Sequence, residues 1–148
     1  MKKITTLLLI TLALTTPVLN SCNVYRPVVK IAIVAPFSGL YREIGYQVLN
    51  GARIAVNEYN NSDIALTEIE LIAFDDEGNP TQAQEQANKV LTDKKVLVVI
   101  GHWLDKTTTA AAPIYMNANI PLLSTSSKPS NPDNAGITFF RLHPTTNR

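Results

Sequence analysis

Three acids in a row, Asp75-Asp76-Glu77, follow an apolar run that ends at Phe74, and so many carboxylates raise the question of a divalent cation. A calcium loop alternates its oxygen ligands and closes with a distal glutamate, and neither feature is present. A solvated turn ahead of a helix accounts for the segment, with Asn79 as N-cap and Pro80 at the first helical position, where its missing N–H does no harm. His102 follows a second apolar run, Val96 to Ile100. Its type suits acid–base work, but no nucleophile accompanies it, so a structural hydrogen bond is expected there. No phosphate loop, dinucleotide glycine pattern, Cys/His metal set or catalytic triad spacing occurs, so no cofactor, metal or enzymatic activity is expected. Binding chemistry is what remains. Gly101-His102-Trp103-Leu104-Asp105-Lys106-Thr107-Thr108 carries the chain's one tryptophan, whose ring suits an apolar or cationic surface. Ser124-Thr125-Ser126-Ser127-Lys128-Pro129 offers hydroxyls, amides and one cation.

These segments must be held by the elements between them. Val28 to Ala35 is apolar and rich in β-branched residues, as befits a strand buried on both faces. Past the Phe37-Ser38-Gly39 turn, Ile44, Val48, Ala52, Ala55 and Tyr59 recur at helical spacing, with Leu49 and Val56 beside them, predicting a helix to about Asn60. Ile69, Leu71, Ala73 and Phe74 mark a second strand. A helix follows from Asn79, its buried stripe Ala83, Ala87, Val90 and Leu91. Val96 to Ile100 is a third strand ended by Gly101, and a third helix runs from about Asp105 through Ala110, Ile114 and Tyr115 to Asn119, with Pro113 expected to bend it. Leu122-Leu123 and Ile137 to Leu142 are two further strands, separated by a loop. Strands alternating with helices predict βαβ units, a parallel sheet flanked by helices and an α/β fold. In such open sheets ligands settle outside the carboxyl ends of the strands, which directs attention to Pro36 to Ile44, Asp75 to Asn79, Gly101 to Thr108 and Ser124 to Lys128.

At the other end of the chain, Lys2 and Lys3 precede an apolar stretch from Ile4 to Leu14 broken by threonines, and the sequence then leads to Leu19-Asn20-Ser21-Cys22. The layout is that of a secretory signal, and the run falls short of the roughly 20 apolar residues of a membrane-spanning helix. Leu-Asn-Ser-Cys resembles the lipobox of bacterial lipoproteins, which implies lipid attachment at Cys22; an ordinary cleavage site beside a free thiol is the alternative. The expected organisation is a signal peptide over residues 1–21, a tether over 22–29 and one lobe over 30–148. Of 13 basic and 12 acidic side chains, removal of residues 1–21 takes Lys2 and Lys3 and no acid, leaving 11 and 12. That balance favours neither nucleic acid nor anionic lipid headgroups. The lone cysteine has no partner for an internal disulfide, so the fold must stand on its core.

The ordered set Lys30-Ile31-Ala32-Ile33-Val34-Ala35-Pro36-Phe37-Ser38-Gly39, Asn50-Gly51-Ala52, Asp75-Asp76, Asn79-Pro80, Ile100-Gly101-His102 and Phe140-Arg141 resembles the type I periplasmic binding proteins, specifically the leucine/isoleucine/valine-binding receptors of ABC importers. The resemblance implies two α/β lobes with Rossmann-like sheets closing on an amino-acid-like solute, which is passed to a membrane permease from outside the cytoplasm. It implies too that this chain is the amino-terminal lobe, truncated, with the second lobe absent. Ligand contacts are then expected from Trp103, Leu104, Asp105, Thr107 and Thr108 and from Ser126, Ser127 and Lys128. Asp105 falls where the family holds the ligand carboxylate with a serine. Either it faces a cationic or hydroxyl-bearing solute, or it caps the third helix and leaves hydroxyl donation to Thr107 and Thr108. Lys128, near a family threonine, would pair with Asp105, hold an acidic ligand or lie solvated, and Ile44 stands near a family aromatic. A sensory module built on the same lobe, or a nonfunctional remnant, is the alternative to a transport receptor.

Overall fold

The computed structural model describes residues 25–124 and 139–142. Strand β1 (Val28–Ala35) leads through a 3-10 turn at Gly39–Tyr41 to α1 (Arg42–Asn60), followed by β2 (Glu68–Asp75), α2 (Pro80–Val90), β3 (Val96–Gly101), α3 (Asp105–Asn117), β4 (Leu122–Ser124) and β5 (Phe139–Arg141). The sheet order is β2-β1-β3-β4-β5, and every pair is parallel. The expected α/β sheet is therefore present. Val28 and Val29, assigned above to the tether, already pair with Glu68 and Ile69, because their β-branched side chains continue the strand.

Alternation along β1 sends neighbouring side chains to opposite faces. Ala32 and Val34 enter a core with Ala83, Ala87 and Val90 of α2, Ala111 and Tyr115 of α3, and Val99 and Leu122 of the sheet. Ile33 and Ala35, also buried, lie outside that cluster. Helix α1 packs along β1 and β2 instead, burying Gly45 and Leu49. Its stripe is narrower than the spacing suggests, for Ala55 is exposed. At Gly45 a Cβ would run into the Pro36 carbonyl oxygen, so the missing side chain is what lets the helix approach the end of β1 so closely.

Local signals place the remaining joints. Asn79 caps α2 through its side-chain oxygen, which accepts from the amides of Thr81 at 2.8 Å and Gln82 at 3.4 Å. Pro113 lies inside α3, which is continuous from Asp105 to Asn117. Gly101 is part of β3 rather than its terminator, with φ +139°, a conformation that L side chains rarely adopt, and a Cβ there would strike the carbonyl oxygen of Val34 on β1. The strand can thus close on its neighbour at the very point where the chain turns out of the sheet.

Candidate functional site

The strand order reverses at β1. The chain leaves β1 for α1, which packs along β1 and β2, and leaves β3 for α3, which packs with α2 in the main core. A crevice forms at the carboxyl edge where successive connections depart to opposite faces, and doubly wound sheets bind ligands there. The loops at that edge are Pro36–Tyr41 after β1, Asp76–Asn79 after β2 and His102–Leu104 after β3.

Asp75 and Asp76 hold these three loops together. Asp75 Oδ1 accepts from the amides of Phe37 and Glu77, each at 2.8 Å. Burial by itself pushes this carboxyl up, but hydrogen bonds from the Glu77 amide, the Ser38 hydroxyl and the Phe37 and Ser38 amides outweigh it and hold Asp75 below the usual carboxylate range. Asp76 faces inward and is fully buried. Its Oδ1 accepts from Gly78 N at 2.9 Å, and its Oδ2 lies 2.8 Å from His102 Nδ1. Nε2 of the same ring is 3.3 Å from the Tyr115 hydroxyl, itself pushed well above the ordinary tyrosine range by burial and then by the Asp76 charge. The solvated turn read from the sequence is therefore wrong for Asp76: its carboxylate is drawn inside by an imidazole 26 residues away. His102 does hold the structural hydrogen bond expected of it. No set of three His, Cys, Asp or Glu side chains suited to a metal occurs among the described residues.

The tryptophan loop follows His102 directly. Trp103 and Leu104 are half-buried, and Asp105 and Lys106 are exposed. The N-cap of α3 is Leu104, whose extended backbone makes no side-chain cap, so Asp105 is the first residue of the helix and not its cap. A carboxylate in that first turn still meets the positive end of the helix dipole favourably. Thr107 and Thr108 are fully buried. Their hydroxyls donate inside the loop, Thr107 Oγ1 to the Leu104 carbonyl and Thr108 Oγ1 to the His102 carbonyl, both at 2.9 Å. These protons brace the loop, while Trp103, Leu104 and Asp105 form its outer part. Leu104 and Tyr41 both crowd Gly78, for a Cβ built there would lie 3.1 Å from Leu104 Cδ1 and 3.2 Å from Tyr41 Cδ2. Ile44 is half-buried near the start of α1. Ser126, Ser127, Lys128 and Cys22 lie outside the described residues. Sequence reasoning missed the parts played by Asp76, Tyr115 and Tyr41, because nothing in the spacing announces that their segments meet.

Residues 28–148 match a family model described as periplasmic binding protein. The Leu/Ile/Val-binding protein of Escherichia coli K12 is 33% identical over 97 residues, which is 65% of this chain and 26% of that protein. Among solved structures, the branched-chain amino acid transporter substrate-binding protein LivJ of Streptococcus pneumoniae, in complex with isoleucine, superposes with a TM-score of 0.69 at 26% identity, over 77% of this chain and 33% of that one. A solute-binding protein of an ABC transporter from Rhodopseudomonas palustris, in complex with 3,4-dihydroxybenzoic acid, gives 0.68 at 23% identity over 77% and 31%, a likeness of fold alone. The chain thus spans about a quarter to a third of the length of these proteins.

Proposed function

Because this chain belongs to the type I periplasmic binding proteins, in their leucine/isoleucine/valine-binding branch, we propose that it is the solute-recognising lobe of an extracytoplasmic receptor that serves an ABC importer. The observation that carries the reading is the match over residues 28–148, together with relatives named as binding proteins and not as enzymes. The solute, amino-acid-like and small, would lie on the carboxyl edge of the sheet against Trp103, Leu104 and Asp105 and against Ser126, Ser127 and Lys128, with a second lobe closing from the other side. Thr107 and Thr108 contribute through the shape they give the loop. A cleft gains affinity by burying its ligand on both sides, so the lobe by itself binds weakly.

Asp105 sets the chemistry of the solute. An exposed carboxylate at the start of α3 repels a ligand carboxylate and attracts an ammonium, guanidinium or hydroxyl group. L-Arginine should therefore quench or shift Trp103 fluorescence more readily than L-leucine. Asp105→Ser should reverse the order, weakening L-arginine by about tenfold, the scale of one charge-assisted hydrogen bond. Equal responses before and after the substitution would remove Asp105 from the site, and no response to any solute bound by calorimetry would remove Trp103.

Export and lipid attachment at Cys22 complete the proposal and place the lobe at a membrane surface beside its permease. Among the described residues no helix is long and apolar enough to cross a membrane. Labelling with radioactive palmitate should mark the chain and fail after Cys22→Ser; label retained in the variant would refute the anchor.

A further inference from the structure

We propose that Asp76 and His102 are positioning residues of the solute site: the Asp76 carboxylate fixes the His102 ring and, through it, the backbone that carries Trp103, Leu104 and Asp105. The inference rests on the binding reading above and assigns a role to a buried network that direct solute contact leaves unused. Asp76 and His102 are wholly enclosed, and Tyr115 with them. A buried carboxylate is costly unless its oxygens are satisfied, and here both are, by Gly78 N and by His102 Nδ1. A carboxylate can only accept, so Nδ1 carries the ring proton. With the ring neutral, Nε2 offers a lone pair to the Tyr115 hydroxyl, which burial and the Asp76 charge keep protonated and able to donate.

The result is a directed chain: Tyr115 O–H to Nε2, Nδ1–H to Asp76. Residue 102 is gripped a third time at its carbonyl by Thr108 Oγ1. With the ring anchored at Nδ1 by Asp76 and the carbonyl held at its oxygen by Thr108, the peptide leading into Trp103 has little freedom. Gly101 immediately before it is locked against Val34. Apolar side chains would fill the same space with less desolvation; what a fully satisfied polar network adds is a unique arrangement. Asp75 extends the brace by tying the turn after β2 to Phe37 and Ser38. Three loops of the carboxyl edge are thereby presented to a solute as one preformed rim, so less binding energy is spent ordering them.

The test uses the full chain labelled with 15N and follows the two histidine rings, assigned with His143→Gln, together with the single tryptophan. The wild-type His102 ring should be the Nδ1–H tautomer. Asp76→Asn keeps the shape but turns an NH2 toward Nδ1, so the ring should switch to Nε2–H. Trp103 should then lose order in backbone and indole relaxation, and L-arginine should bind up to about tenfold more weakly, the upper cost of having to order one side chain on binding. Tyr115→Phe removes only the far partner of the ring, so it should lower the melting temperature while leaving Trp103 ordered. If Asp76→Asn does not fold, Thr108→Val, which deletes only the hydroxyl bond to the His102 carbonyl, should disorder Trp103 in the same way. An unchanged Trp103 in the first foldable variant of Asp76 or Thr108 overturns the proposal. So does an equal loss of order in Tyr115→Phe, which would mark the network as mere packing. A wild-type chain that ignores L-arginine defeats the cationic-solute reading, and the order of Trp103 still decides the positioning role.

Discussion

Two neighbouring carboxylates behave here as different chemical objects. Asp75 is partly exposed and satisfied by amides of its own turn and of the loop after β1, whereas Asp76 is buried against an imidazole. The consequence for Asp75 is a pH dependence of known sign. Its folded value is lowered, so it contributes stability that is present above its unfolded value and is lost as pH falls through the folded one. Asp75→Asn should cost about 1–2 kcal/mol at pH 7, the range for hydrogen bonds to charged groups discounted for the partial exposure of this side chain. The gap between variant and wild type should narrow on acidification below the ordinary carboxylate range. Urea unfolding at pH 7 and again at strongly acid pH measures it, and a gap independent of pH would show that the charge of Asp75 does nothing for the fold. The acidic doublet was legible as a turn from its residue types. That one member points inward was not legible, since its partner lies 26 positions further on.

The elements follow rules local enough to be read from spacing. Helix α2 starts where Asn79 and Pro80 say it should, its N-cap side chain meeting two otherwise orphaned amides. Asn79→Ala should therefore cost about 1 kcal/mol, seen as a lower urea midpoint with unchanged slope; an unchanged midpoint would mean that water satisfies those amides equally well. Asn60, at the end of α1, has a role that spacing does not reveal. Its amide both donates to the Ile69 carbonyl and accepts from the Ile69 N–H, each at 2.9 Å. It occupies backbone groups of β2, the strand at one border of the sheet, and so blunts an edge that could pair with another chain. At the amino end, Lys30 reaches Asp93 at 2.7 Å, tying β1 to the turn before β3. Leu97 occupies the register shift opposite Lys30 and Ile31, and its side chain is exposed although it belongs to the uninterrupted apolar run from Val96 to Ile100. A bulge of this kind depends on the partner strand, which is why no pattern within Val96 to Ile100 announces it.

Across the whole molecule the two sheet faces are unequal. Helices α2 and α3 close one of them into a continuous core. On the other, α1 attends to β1 and β2, and elsewhere on the sheet the side chains of Leu97 and Phe140 are 56% and 51% exposed. Exposed apolar side chains favour association where they form a patch, so Leu97→Ser combined with Phe140→Ser should shift the chain toward monomer in sedimentation velocity, and an unchanged distribution would clear these two side chains of any part in assembly. The sequence by itself determined the alternation of strand and helix, the parallel sheet, the carboxyl-edge loops and the family, because each of these follows from periodicity, capping residues or the resemblance of an ordered set of short segments along one stretch of chain. The tertiary structure alone decided that Asp76 is buried, that His102 and Tyr115 complete its network, and that the Thr107 and Thr108 hydroxyls brace the loop from within. Those outcomes depend on which loops the sheet order β2-β1-β3-β4-β5 brings together at one edge, and contacts between segments far apart in sequence leave no period for a reader of the chain to detect.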